Sequence, residues 1–565
     1  MDKRLFLAFA LSGVVVVATP FLFPRAKAAP ELPVPAAVAG AATSGAAAAT
    51  PGAPGTPTAS AATNTAQPVA GAPGMAARAL DSLTPRAVAE TLTVNTSVSH
   101  TRFTTMGATP LDVQVPGFNS LGPAKGVVSI HQLNEPLLRY RILAGNDTID
   151  LSKIAFAATR IATGMAGGQT VSFHGTSGAV DITLQYAMTP DNYLGTVKAT
   201  VAGAASPAFL LVDLPTGFVS QEGDTVGDMN ALAYAVKPQR GSAKGIPFRK
   251  LDPGEQRLET GPMFWAIAKN KYFLVGLLAN EKAPTIAEVK FAGGARVSKM
   301  ATRGSATAVL PLVNGATTFD LYVGPQEWQR MRLLGRDFEN ANPYGGFLQG
   351  VVQPFATIVM RSLLWMKSTT HLNYGWVLVI FGVAIRLLMW PLNQKAMRAS
   401  MKLQLIQPEL QAVQAKFKSD PQKQQAEIMK LYASHGMSPL SPLLGCLPML
   451  LPMPILFALF FVFQNTIEFR GVSFMWLPDI SLKDPLYILP LVMGASMYVL
   501  SWIGMRNAPP NPQAKMMAYI MPAMMTFFLI NFASGLNLYY TIQNIAALPQ
   551  QWLIANERAK NVKPG

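Results

Sequence analysis

The chain is poor in charge. Of its 565 residues only 13% are Asp, Glu, Lys or Arg, while 50% are hydrophobic and the mean hydropathy is +0.26. A soluble protein carries about 25% charged residues, so part of this chain must dissolve in lipid. There is one cysteine, Cys446, which excludes an intramolecular disulfide even in a part facing an oxidising compartment. The five histidines, among them His100, His131, His371 and His435, are scattered and give no metal-ligand spacing. The chain has no P-loop, no H-E-x-x-H, no paired-cysteine motif and no G-x-S-x-G. These absences argue against an ATP-driven transporter and a zinc protease. No catalytic residue, metal or cofactor is expected, and the protein reads as a non-enzyme.

What charge there is lies unevenly. The net charge is +16, and from Asn342 onward 17 Lys/Arg stand against 7 Asp/Glu, so +10 of it belongs to the apolar half. Positive charge beside apolar spans is the pattern of cytoplasmic membrane loops. The aromatics sit inside apolar runs and are not interleaved with Lys/Arg, which argues against nucleic-acid reading and against DNA as a partner.

Along the chain, Lys3 and Arg4 precede an apolar run over 5–23, about long enough to cross a bilayer core. It reads as an uncleaved anchor over 1–25; cleavage near Ala26-Lys27-Ala28 is the alternative. Residues 26–80 are rich in Ala, Pro, Gly and Thr, and 32–77 carry no charge, the composition of a disordered linker. Over 81–340 short β-prone runs recur between Gly and Pro punctuation, as in Val180-Asp181-Ile182-Thr183-Leu184, which suggests a large all-β sandwich domain. The stretch 341–372 is apolar but broken by Gln353-Pro354, Arg361 and Lys367, and reads as an amphipathic helix lying at the membrane interface. Five further apolar segments follow at 374–390, 443–463, 486–503, 516–532 and 536–554. With the first they make six candidate transmembrane helices, five of them forming a core over 373–555. Trp376, Trp390, Trp502 and Trp552 mark segment edges, where indole rings prefer the headgroup zone.

The connection 393–436 holds seven Lys/Arg, including Lys395, Arg398 and Lys416, against Glu409, Asp420 and Glu427, and the tail 556–565 holds Arg558, Lys560 and Lys563. Both termini are therefore expected in the cytoplasm and the β-domain in the periplasm, of a multi-pass bacterial inner-membrane protein. Apolar spacing at Met397, Met401, Leu405, Leu410, Val413 and Phe417 predicts one amphipathic helix, and Asp420-Pro421 starts a second, so 393–436 reads as a cytoplasmic helical hairpin.

Arg386 lies inside the second span, about a turn from its cytoplasmic end. An arginine facing lipid there costs several kcal/mol. Either its stem snorkels to the headgroups or it faces a wet cavity, and with no acid in any other span water is the expected solvent. Met449, Met453, Met493, Met497, Met521, Met524 and Met525 fall in spans, which suits either ordinary packing or a surface that accepts many apolar sequences. Pro448, Pro452, Pro454, Pro490 and Pro522 interrupt spans, which lipid tolerates only where neighbours or water satisfy the freed carbonyls.

The stretches IRLLMWPLNQKAM, GCLPMLLPMPILFALF, YILPLVMG and MPAMMTFFLINFASGLNLYYTIQN resemble the core of the YidC/Oxa/Alb family of membrane-protein insertases over roughly 340–555. The exported β-domain, including GPMFWAIAKNKYF, resembles the periplasmic domain of the Gram-negative type. The resemblance implies an all-β supersandwich there and an insertase, and chaperone, that inserts inner-membrane proteins alone or beside the Sec translocon (SecYEG, SecDF). Nascent membrane proteins are the implied substrates, the bilayer a partner, and the ribosome a possible contact through loops and tail. By the same resemblance Arg386 matches the groove arginine; Met453, Pro454 and Phe528 match positions lining the substrate slide; Tyr539 and Tyr540 match the paired tyrosines of the last span. Two residues depart from the family: Pro452 stands where relatives have glutamine, and Gly382 replaces a hydroxyl residue beside Arg386. The supersandwich resembles sugar-binding domains, with no residue here pointing to sugar. A secondary transporter or channel is the alternative, since it too uses intramembrane charge; it would commonly show internal repeats, and none is visible.

Overall fold

The computed structural model describes residues 89–162, 168–280, 285–297, 300–342, 349–418, 420–436, 453–506 and 512–562. The apolar segment at 5–23 and the linker to 80 lie outside them, as do residues 437–452, which include Pro448 and Pro452.

The β-domain is built from antiparallel pairs. One sheet runs Thr91–Asn95, His100–Thr104, Thr109–Asn119, Val127–His131 in chain order; the other is fourteen-stranded. Period-two patterning decides which face is buried. In the strand Val180–Met188, Ile182, Leu184 and Tyr186 point inward while Asp181 points out, and Leu184 pairs with Phe173 and Tyr186 with Val171 across the ladder. The two sheets share a core: the Phe103 ring of the small sheet lies 5.7 Å from Phe173 and 4.8 Å from Tyr186 of the large one. The buried Tyr186 hydroxyl donates to the Ala108 carbonyl at 2.7 Å and lies 2.9 Å from the Tyr140 hydroxyl, so both of these buried phenols are hydrogen-bonded. Two short helices, α1 (Thr225–Asn230) and α2 (Trp328–Leu333), decorate the domain.

The helical part follows with α3 (Gln349–Thr370), α4 (Tyr374–Leu405), α5 (Gln407–Lys416), α6 (Pro421–Ser434), α7 (Met453–Asn465), α8 (Ile488–Met505), α9 (Pro512–Leu529) and α10 (Ser534–Val562). Helix α3 runs through Pro354 and buries Val352, Ala356, Val359, Met360 and Leu363, spaced as one helical face, against α7. The opposite face leaves Trp365 and Ile358 exposed. Helix α6 begins where the Asp420 side chain accepts from the Lys423 amide, with Pro421 at the first helical position. The first arm of the hairpin is not a separate helix: α4 continues unbroken through Pro391 to Leu405, and α5 follows a one-residue turn.

Among the described residues two helical stretches, Tyr374–Arg398 and Ile488–Met505, are long and apolar enough to cross a membrane; Ile455–Asn465 and Ala518–Leu529 are shorter apolar helices. The six-helix expectation is thus met only in part. The first candidate and the start of the third lie outside the described residues, and α10 carries Asn537, Gln543, Asn544 and Gln550 along its apolar length.

The β-domain sits on the connection between α7 and α8. Arg470 Nε donates to both carboxylate oxygens of Glu222, at 2.8 and 2.9 Å, and both side chains are 4% exposed. The Arg470 guanidinium lies over the rings of Tyr272 and Phe273, and the Tyr272 hydroxyl donates to Ser481 Oγ at 3.1 Å. The Trp328 amide donates to Glu468 Oε1 at 3.1 Å. Tyr272 and Phe273, at the end of the GPMFWAIAKNKYF stretch, are thus among the residues that dock the domain.

Candidate substrate groove

Helices α8 and α4 flank α10, and α9 packs on α8. Glycine permits two of these approaches. A Cβ on Gly382 would meet Ile542 Cγ2 of α10 at 3.0 Å, and one on Gly494 would meet Thr526 Oγ1 of α9 at 2.1 Å. Gly382 is thus a packing contact, and its carbonyl accepts from Gln543 Nε2 at 2.7 Å.

One turn on, Arg386 is half-buried, and its Nη2 donates to Gln550 Oε1 at 2.8 Å. Gln550, itself 1% exposed, is oriented by donating Nε2 to the Trp390 carbonyl at 2.9 Å. Arg386 Nε is buried and has no hydrogen-bond partner among the described residues. To the water expected as solvent for this cation the structure adds a neutral amide from the last helix. Sequence reasoning searched for an acid and missed it. The signal was present, because Gln543 and Gln550 are seven residues apart and fall on one face of α10, turned to α4.

The other candidate residues divide. Tyr539 is 5% exposed and packs on Phe381 of α4, ring centroids 6.2 Å apart, in the same seam as Arg386. Tyr540 stands edge-on to Tyr539. Phe528 is 61% exposed near the end of α9 and joins another group, with Phe532 at 5.1 Å and Phe532 in turn at 5.4 Å from Phe460 of α7. Met453 opens α7, half-buried. Pro454 follows it in the helix, and its side chain lies outside the described residues. No cluster of metal-ligating side chains occurs among the described residues.

Two family models match the chain, meeting inside α3. Residues 91–358 match the YidC periplasmic domain, and 365–561 match the 60Kd inner membrane protein family. A curated relative from Anaeromyxobacter sp. (strain Fw109-5), a membrane protein insertase YidC, is 30% identical over 68% of each chain. The chain belongs to the YidC family. Other YidC insertases, from Anaeromyxobacter dehalogenans (strain 2CP-C) and Chloroherpeton thalassium, are 34% and 30% identical over 53% and 60% of each chain. So this YidC-family chain spans about two thirds of the first relative and little more than half of others. A crystal structure of an active YidC insertase aligns with 82% of this chain and 92% of its own, at 19% identity and a TM-score of 0.33. A galactose mutarotase related enzyme from Lactobacillus acidophilus covers 41% of this chain at 8% identity and a TM-score of 0.27. The YidC relatives are named for insertion, a non-enzymatic role, and the family places the β-domain in the periplasm of an inner-membrane protein.

Proposed function

We propose that this chain inserts membrane proteins into the inner membrane through a hydrated groove whose polar centre is Arg386, alone or beside SecYEG and SecDF. The observation that carries this reading is a cation within an apolar helix whose hydrogen-bond partner is a neutral amide. Among the described residues no carboxylate pairs with it. A guanidinium so placed is stabilised only if water or an incoming anion completes its shell. The acidic tail or short loop of a nascent protein supplies such an anion. Arg386 and Gln550 hold the polar segment partly solvated, while the apolar segment passes Met453, Pro454 and Phe528 into lipid, with Tyr539 and Tyr540 as the opposite wall. Transfer of about 20 apolar residues into lipid drives the step, and the membrane potential adds about 2.3 kcal/mol per charge per 100 mV for an acidic tail moving outward.

On the same reading six helices span the bilayer, both termini are cytoplasmic, α3 lies at the periplasmic interface, and the hairpin with the basic tail meets the emerging chain, with ribosomal contact. The exposed apolar side chains of Leu388 on α4, Trp502 on α8 and Phe527 and Phe528 on α9 support a lipid surround.

The test is protease protection of a small single-span client with an acidic tail, synthesised beside proteoliposomes that contain only this protein. Wild type protects the tail, and Arg386→Ala protects it about tenfold less. Equal protection by both refutes the role of Arg386; no protection above empty liposomes refutes autonomous insertion.

A further inference from the structure

A cavity of about 710 Å³ opens where the β-domain meets the end of α7. Five cations line it: Lys244, Arg249, Lys250, Lys269 and Lys271. Asp224 is the carboxylate among its lining residues, and it is already engaged, accepting from the Gly227 amide at 2.9 Å. Lys244 is paired with Glu259 at 2.6 Å. Among the described residues no carboxylate forms an ion pair with Arg249 or Lys250, while Lys271 and Lys269 have the buried Asp228 carboxylate near them, which accepts the Lys271 amide at 3.0 Å. Lys271 is only 8% exposed, its ammonium resting 5.0 Å from the Tyr272 ring centre. Lys269 is 5% exposed and donates to Asn342 Oδ1, and burial pulls its ammonium down to about 8. Five cations around one cavity face a single buried carboxylate, Asp228, and the already engaged Asp224, so an incoming anion is favoured there by the excess of positive charge.

The position of the cavity says which anion reaches it. Its far wall is made by Phe461, Gln464 and Asn465 at the end of α7 that abuts the periplasmic domain. On the proposed topology, on which this inference rests, the apolar helix running away from that wall lies in lipid, so the cavity stands at headgroup depth, with an aromatic ring beside the cations. A phosphodiester joined to acyl chains meets both features; a free anion meets only the first.

We propose that this cavity seats the headgroup of an anionic phospholipid, with Arg249, Lys250 and Lys271 facing the phosphate and Phe461 the glycerol. The site lies apart from Arg386, and its occupancy is read without any client, so its failure and a failure of the insertase reading are separate results.

The experiment is native mass spectrometry of the full chain in neutral detergent, titrated with phosphatidylglycerol or phosphatidylcholine of equal chain length. Wild type retains one phosphatidylglycerol in preference to phosphatidylcholine. Arg249→Gln/Lys250→Gln, at exposed positions, lowers that retention about tenfold, as loss of charged hydrogen bonds should, while Arg249→Lys/Lys250→Arg keeps it. Equal retention of the two lipids by wild type, or undiminished phosphatidylglycerol on the Gln/Gln variant, overturns the proposal. So does displacement of the lipid by inorganic phosphate or by an acidic peptide at matched concentration, which would assign the cavity to a soluble anion or to a polypeptide.

Discussion

Glu468 illustrates what one buried carboxyl can do. Its Oε1 accepts the Trp328 amide, while Oε2 is buried without a hydrogen-bond partner among the described residues. Burial pushes this carboxyl from 4.5 up to about 7. A carboxyl raised in the folded state favours folding while protonated. Its contribution is full below about pH 4.5, declines as the pH rises towards 7, and is lost above that, a swing of about 3 kcal/mol at most. Melting in detergent between pH 5 and 8 should therefore fall with pH, and Glu468→Gln, which keeps the acceptor for Trp328, should flatten that slope. An unchanged slope in the variant refutes the assignment. Gln550 is the second case. Gln550→Ala removes the amide from Arg386 and should cost about 1.5–3 kcal/mol in the same melts. Arg386→Leu/Gln550→Leu should cost clearly less than the two single changes added together, and simple additivity would deny the coupling.

At the scale of elements, close helix approach is set by glycine. Gly494→Leu would drive a side chain into Thr526 and force α8 from α9. We expect a loss of about 1–3 kcal/mol, read as lower Tm, with Gly494→Leu/Thr526→Gly partly restoring it. The start of α6 was legible in the sequence because Asp420-Pro421 is a local signal: a short acceptor and a fixed φ act within one turn. The continuity of α4 through Pro391 was not legible. A proline inside a helix costs only what its surroundings fail to make good, and those surroundings belong to other segments.

For the whole molecule, the Glu222–Arg470 pair couples the two halves of the protein. Arg470→Leu removes the main cation beside Glu222, whose carboxyl burial pushes up to about 7, and should cost about 1–3 kcal/mol, the cost of leaving that buried group without its hydrogen bonds. Hydrogen exchange should then rise in the turn 270–272 and in the connection 466–487, while exchange in α8 and α10 stays unchanged. Glu222→Leu/Arg470→Leu should be milder than either single change, because neither charge is left alone. Equal damage in the double variant would show that the ion pair is not what joins the domains.

Composition by itself determined that part of the chain lies in lipid, and period-two runs bounded by Gly and Pro pointed to the β-structure that the described residues show from Thr91 to Pro325. Residue type and surroundings along the chain are enough for both. Dense local motifs likewise marked the family. Tertiary structure alone decided that Gln550 meets Arg386, that Gly382 serves packing, and that Arg470, about 250 residues from Glu222, closes the domain junction. Each of these depends on which helix face or turn meets which other across long stretches of sequence. That pairing is fixed by the packing of the whole and leaves no periodic trace in the chain.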